Sequence, residues 1–141
     1  MDERHSVELQ AEVHSGRDRV WPLLSTSEGL AAWLGQAEVP ASVGGQIRLT
    51  VGDAAAHGVL LAVDGPQHIS FTFDWDGAPI GGPTVLALDA IEHGASTHLT
   101  LRHVGLPAGR ERDRHEALWH ERFGRLVRVA EEATEDSGAA R

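Results

Sequence analysis

The chain has 141 residues, which is the length of one domain, and a hydrophobic content of 41% is enough to build a core. It has no cysteine, which excludes a disulfide scaffold, a thiolate metal site and a cysteine nucleophile. There are 21 acidic and 12 basic residues, all of the basic ones are arginine, and the net charge is −9. This balance disfavours nucleic acid as a partner, because phosphate binding depends on basic patches.

The apolar runs of the sequence are too short to span a membrane. The first five residues are polar or charged apart from Met1, and no apolar stretch typical of a signal peptide follows them. We therefore expect a cytoplasmic protein without a membrane span.

The first third of the chain predicts one strand and two short helices. Residues 6–14 alternate strictly between apolar and polar side chains, which is typical of a half-buried strand. Residues 17–24 and 27–34 predict the helices, and the polar residues 25–27 are suited to cap the second one. Gly35 ends this helical region.

From residue 37 the apolar period changes to two, and several strands are predicted. They include segments 47–51, 58–63, 69–75, 84–91 and 97–104. After Pro107 an amphipathic helix is predicted over about 109–133. An antiparallel sheet with one apolar face must cover that face, so the order of elements predicts an α+β domain in which this helix packs on the sheet.

Several motifs of the chain resemble one known superfamily in their order and spacing. They are residues 20–25 (VWPLLS), 30–35 (LAAWLG), 44–48 (GGQIR), 58–66 (GVLLAVDGP) and 96–103 (STHLTLRH), with Trp119 and Leu126 in the last helix. Together they resemble the SRPBCC (START-like, helix-grip) superfamily, in the branch related to the activator of the heat-shock-ninety chaperone ATPase. Two positions depart from the branch: Leu34 and Leu118 stand where it often has a second tryptophan and a glycine.

The resemblance covers roughly residues 6–133 and implies one helix-grip domain over 1–141. The small, polar residues 135–141 are expected to form a flexible tail. It implies a curved antiparallel sheet of six to seven strands wrapped around the C-terminal helix, with two short helices after the first strand. It also implies a hydrophobic cavity between sheet and helix. The superfamily includes lipid carriers, polyketide aromatase/cyclases and chaperone co-activators, and a shared fold does not transfer a function.

The nine histidines do not predict a metal site. His115 and His120 are about 140° apart on a helix, and His98 and His103 lie on opposite faces of a strand, so neither pair converges on one ion. We interpret the histidines as surface residues, except His103, whose parity places it with Leu99 and Leu101 on the apolar face. His103 is therefore a core residue, a polar group that orients a ligand, or a general base.

Asp74 and Asp76 are interpreted as parts of a solvated loop, since Asp74 has outward parity and Asp76 sits in a turn. No other recognisable catalytic set accompanies His103. The aromatic residues are more informative, because most of them can point into a single interior. The residues expected to line a cavity there are Trp33, Ile47, Leu49, Phe71, Phe73, Trp75, Leu86, Leu88, Leu101, His103, Trp119 and Phe123.

These observations favour a non-catalytic binding domain that holds a small hydrophobic molecule, with no cofactor and no metal. Two alternatives stay open: a cyclase- or hydrolase-type enzyme that uses His103 as acid or base, and a module that acts on a chaperone or client protein. A homodimer that covers an exposed strand edge is a further open expectation.

Overall fold

A computed structural model describes residues 4–80, 83–107 and 109–139. In chain order the elements are β1 (Arg4–Val13), α1 (Arg17–Ser25), α2 (Ser27–Ala31), β2 (Gln36–Glu38), β3 (Gln46–Val51), β4 (Ala54–Asp64), β5 (His68–Thr72), β6 (Asp74–Trp75), β7 (Val85–His93), β8 (Ser96–Pro107) and α3 (Arg110–Ala139). This is the predicted order: one strand, two short helices, a run of strands and a long last helix.

All strand pairs that the structure describes are antiparallel, in the order β1–β8–β7–β5–β4–β3–β2, with β6 paired to β4. The α+β helix-grip class is therefore confirmed. The described strands number eight rather than six or seven, because residues 36–38 form a short strand and the segment predicted as one strand over 69–75 is divided. The chain leaves β5 at Phe73, whose backbone N–H donates a hydrogen bond to the carbonyl oxygen of Thr84 (3.0 Å). Trp75 then pairs with Ala56 of β4.

The strands alternate as the sequence predicts, because one face of the sheet packs on the core and the other faces water. In β3, for example, Ile47, Leu49 and Val51 are buried and the residues between them are exposed. The strand over 58–63, whose facing the sequence leaves open, buries Leu60 and exposes Val59 and Leu61.

The two short helices are joined by a cap that the sequence predicts. The hydroxyl of Thr26 accepts a hydrogen bond from the backbone N–H of Gly29 (2.9 Å) and donates one to the carbonyl of Pro22 (2.8 Å). It thus satisfies a free donor at the start of α2 and an acceptor at the end of α1.

Helix α3 packs on β1, β8 and α1. Its apolar stripe is buried at Trp119, Phe123, Leu126 and Ala130. The helical backbone begins at Arg110 and continues to Ala139, six residues beyond the expected end at 133. Part of the segment expected to be a tail is therefore helical, and residues 140–141 lie outside the described residues.

Candidate functional site

The twelve residues expected to line a cavity face the interior, but few of them border open space. Eleven are buried and Trp75 is half-buried. Of the four pockets that the structure describes, one touches Leu49, one Trp75 and one Trp33. The other nine border none of these four and pack within the core: Ile47, Phe71, Phe73, Leu86, Leu88, Leu101, His103, Trp119 and Phe123.

One pocket opens between the end of the sheet and the first turns of α3, and we call it the Trp75 pocket. Its volume is about 490 Å³, and six of its ten wall residues are apolar. The walls come from the β3–β4 turn, from β6 and the loop after it, and from α3: Val51, Ala54, Trp75, Asp76, Ala78, Pro79, Glu111, Arg114, His115 and Leu118. Small-molecule sites have this size and this mixture of apolar walls and a few polar groups.

A larger pocket of about 600 Å³ lies beside α2, and we call it the polar pocket. Seven of its twelve wall residues are polar or charged: Ser27, Glu28, Gln36, Glu38, Arg48, Thr50 and Asp76. It lacks the aromatic surface that an apolar ligand needs, so its greater volume does not make it the better candidate.

The central feature of the Trp75 pocket is a hydrogen-bonded pair of rings. The indole Nε1–H of Trp75 donates to Nε2 of His115 (3.0 Å). An indole nitrogen only donates, so the His115 proton lies on Nδ1, which donates to the carbonyl oxygen of Glu111 one turn earlier (2.7 Å). Both nitrogens of His115 are thus occupied, and the two rings form a fixed wall.

A second pair of the same kind lies deeper. The indole of Trp119 donates to Nδ1 of His103 (2.9 Å), which leaves the proton of the neutral imidazole on Nε2. His103 is fully buried, and its Nε2 has no hydrogen-bond partner among the described residues. Burial, and secondarily the charge that His115 can carry, lower the pKa of His103 from 6.5 to about 3.

Edge-to-face contacts connect the two pairs. The ring of Phe73 lies 5.0 Å from Trp75, 5.3 Å from His103 and 5.6 Å from Trp119, as measured between ring centroids. The rings of His103 and His115 are 5.2 Å apart. These T-shaped contacts are the favoured geometry for aromatic rings, so a molecule that contacts Trp75 touches a rigid aromatic cluster.

The charged groups at the rim are already paired. Asp76 forms a short contact with Nδ1 of His57, and Glu111 accepts from Nη1 of Arg114 (2.9 Å). Both carboxylates therefore already have a hydrogen-bond partner within the chain.

Two interpretations from the sequence need correction. His115 is not a surface residue: it is 2% exposed, because it lies one turn before Trp119 on the buried stripe of α3. This i, i+4 spacing to Trp119 is the signal that could have identified it. Asp74 is not simply solvated either, since its Oδ1 accepts from the backbone N–H groups of Trp75 (2.9 Å) and Ile80 (2.8 Å) and shapes the pocket loop.

Among the described residues, no three histidine, aspartate or glutamate side chains are placed to hold a metal ion. Within the same part of the chain, no helix is both long and apolar enough to cross a membrane.

Comparison with solved structures places this fold among known ones. Protein CV1439 from Chromobacterium violaceum is 19% identical, with a TM-score of 0.76 over 89% of this chain and 96% of that one. An HSP90 activator from Plasmodium falciparum is 20% identical, with a TM-score of 0.74 over 88% and 94%. DynU16, a protein of the dynemicin biosynthetic locus, is 23% identical, with a TM-score of 0.76 over 87% of this chain and 46% of that one. At these identities the likeness shows the fold alone.

No curated protein matches the sequence. The family model described as "Activator of Hsp90 ATPase homolog 1-like protein" matches residues 15–131, which is most of the chain and includes α1, the sheet from β2 onward and most of α3. The motifs that resemble this branch of the SRPBCC superfamily lie within the match. The chain therefore belongs to the family of Activator of Hsp90 ATPase homolog 1-like proteins.

Proposed function

We propose that this protein is a non-catalytic binding domain that holds a small, mostly apolar molecule in the Trp75 pocket. The observation that carries the proposal is the hydrogen-bonded pair of Trp75 and His115, which forms a fixed aromatic wall in a pocket of about 490 Å³ between sheet and helix. The fold supports a ligand-binding role, since the superfamily includes ligand carriers and polyketide cyclases.

The hydrogen bonds favour binding over acid–base chemistry. A general base needs a free lone pair within reach of its substrate. In His115 the lone pair of Nε2 accepts from Trp75, and in His103 the lone pair of Nδ1 accepts from Trp119. A pKa of about 3 also makes His103 a poor proton acceptor at neutral pH. Its Nε2–H can still donate a hydrogen bond.

A matched pair of substitutions tests the site. Ala54 lines the Trp75 pocket and the adjacent Ala55 lines the polar pocket, and both are exposed residues on opposite faces of β4. The probe is N-phenyl-1-naphthylamine, an uncharged apolar fluorophore. We expect Ala54→Phe to weaken probe binding about tenfold or more by filling the pocket, and Ala55→Phe to change it less than about twofold. Equal effects of the two variants would contradict the site.

Two further measurements separate the alternative functions. An untargeted mass-spectrometric search of the purified protein should find a bound small molecule that Ala54→Phe loses. Turnover of a substrate by the natural chain that His103→Ala abolishes would instead show an enzyme. Stimulation of a chaperone ATPase that Ala54→Phe leaves unchanged would show a protein-interaction role and contradict the proposal.

A further inference from the structure

A third pocket, which adjoins the polar pocket and is separate from the Trp75 pocket, brings two arginines together, and we call it the Arg122 pocket. Its volume is about 420 Å³. It lies between the chain that follows α2, the β3–β4 turn and the middle of α3, and its walls are Ala31, Trp33, Gly35, Gln36, Thr50, Gly52, Asp53, Arg122 and Arg125. It shares no wall residue with the Trp75 pocket.

Arg122 is an unusually enclosed cation, with 12% of its side chain exposed. Its Nε is buried and has no hydrogen-bond acceptor among the described residues. Oε1 of the adjacent Glu121 lies 3.2 Å from Nε, in a geometry that is not a hydrogen bond. A buried charge is costly unless it is paired and hydrogen-bonded, and here Nε of Arg122 remains an unsatisfied donor although Glu121 forms an ion pair with it.

The turn at Gly52 keeps the guanidinium accessible from the pocket. Gly52 has a φ of +63°, and a Cβ atom at this position would lie 3.2 Å from Nη2 of Arg122. The absence of a side chain therefore leaves room beside the cation.

The local carboxylates do not balance the two arginines. Glu121 is shared, because its other oxygen forms a short contact with Nε of Arg125. Asp53 lies at the rim and is exposed, and no ion pair joins it to Arg122 or Arg125 within the described residues. One shared carboxylate thus faces two guanidinium groups, in a chain whose net charge is −9.

We propose that the Arg122 pocket binds an oxyanion, a carboxylate or phosphate group of a small molecule, between Arg122 and Arg125. A guanidinium presents planar N–H groups that match either oxyanion, and such charge-assisted hydrogen bonds are among the strong ones. The bound group accepts from the guanidinium N–H groups of Arg122 on the side of Gly52 and from those of Arg125. The pocket is a site for a charged group, distinct from the apolar Trp75 pocket.

The test is a titration of the ¹⁵N-labelled full chain with inorganic phosphate, and separately with sodium acetate, against sodium chloride at equal ionic strength. The Nε–Hε resonance of Arg122 should shift and saturate with one of the two anions and not with chloride. Saturation by phosphate alone assigns a phosphate group, and saturation by acetate alone assigns a carboxylate. No saturable shift with either anion overturns the proposal.

Four substitutions make the test specific. Arg122→Gln, followed at the Nε–Hε resonance of Arg125, and Arg125→Gln should each weaken anion binding about tenfold or more, since each removes charged hydrogen-bond donors. Arg128→Gln is the control, because Arg128 is exposed on the same helix and outside the pocket, and it should change affinity less than about twofold. Asp53→Asn should tighten binding by removing a like charge. If Arg122→Gln does not fold, Arg125→Gln and Asp53→Asn carry the test, and unchanged affinity in both overturns the site.

Discussion

The buried imidazole of His103 should make the stability of this fold depend on pH. In the folded chain its pKa is about 3, whereas the ordinary value of 6.5 holds in the unfolded chain. Between these two values the unfolded chain takes up a proton that the folded chain does not. Above pH 6.5 this difference in proton uptake does not change the free energy of unfolding. As the pH falls from 6.5 toward 3, it lowers that free energy progressively.

The loss of stability depends on how far the pH moves into the interval between the two pKa values of His103. Each pH unit inside it costs about 1.4 kcal/mol, so the loss between pH 8 and pH 5 is about 2 kcal/mol. This is a large part of the roughly 5–15 kcal/mol by which a domain is stable. The fully buried position of His103 justifies using the whole shift, because no water reaches the ring to screen it.

The assay is urea unfolding followed by circular dichroism at pH 8, 6.5 and 5, for the natural chain and for His103→Gln. Glutamine cannot titrate, yet its side-chain oxygen can accept the indole N–H of Trp119. Other groups titrate in both proteins, so the difference between the two pH profiles isolates His103. We expect the natural chain to lose about 2 kcal/mol more than the variant between pH 8 and pH 5.

Equal pH profiles for the two proteins would refute this reasoning. An independent measurement guards against a variant that fails to fold. The imidazole resonances of His103 in the natural chain should show no titration between pH 8 and pH 5, and a midpoint near 6.5 would contradict the burial argument.

Five further substitutions, at four positions, test the core packing, the helix cap and the strand contacts. Phe71→Ala should lower the free energy of unfolding by about 3–5 kcal/mol, because Phe71 is fully buried and borders none of the four described pockets; a loss below about 2 kcal/mol in urea unfolding would mean that a void already exists beside it. Thr26→Ala should cost about 1 kcal/mol by thermal denaturation because it removes the α2 cap, and Thr26→Ser should retain most of that stability. Gly58→Ala should prevent folding, since its Cβ would lie 1.7 Å from the carbonyl oxygen of Thr72. Gly124→Ala, on the open face of α3, should instead stabilise the fold by about 0.5–1 kcal/mol. Soluble, cooperatively folded Gly58→Ala would show that the two strands are not so close.

Much of the fold could be predicted because its signals are local and periodic. Alternation alone places Ile47, Leu49 and Val51 on the inner face, and the same parity argument places His103 in the core. The division of the segment 69–75 could not be predicted in this way. Its apolar alternation is unbroken, and the change of pairing partner at Trp75 depends on where β4 lies in space.

The candidate site was harder to predict, because its chemistry depends on contacts between distant residues. Aromatic content drew attention to Trp75. Its partner His115 lies 40 positions away, and only the helical period of α3 indicates that His115 is buried. The Arg122 pocket has no sequence signal of its own. Arg122 and Arg125 lie beside the β3–β4 turn because α3 packs across the sheet.

The pairing of β1 with β8 has a consequence for synthesis. Leu9 pairs with Leu101, about 90 residues later in the chain, so the first strand leaves the ribosome long before its partner exists. At roughly 5–20 residues per second, β1 waits about 5–20 s with an apolar face and an unpaired backbone edge. Helix α3, which covers β1, arrives later still. The domain can therefore complete its sheet and core only when the last strand and helix have been synthesised. Until then the edge and the apolar face of β1 stay exposed unless something outside the domain covers them.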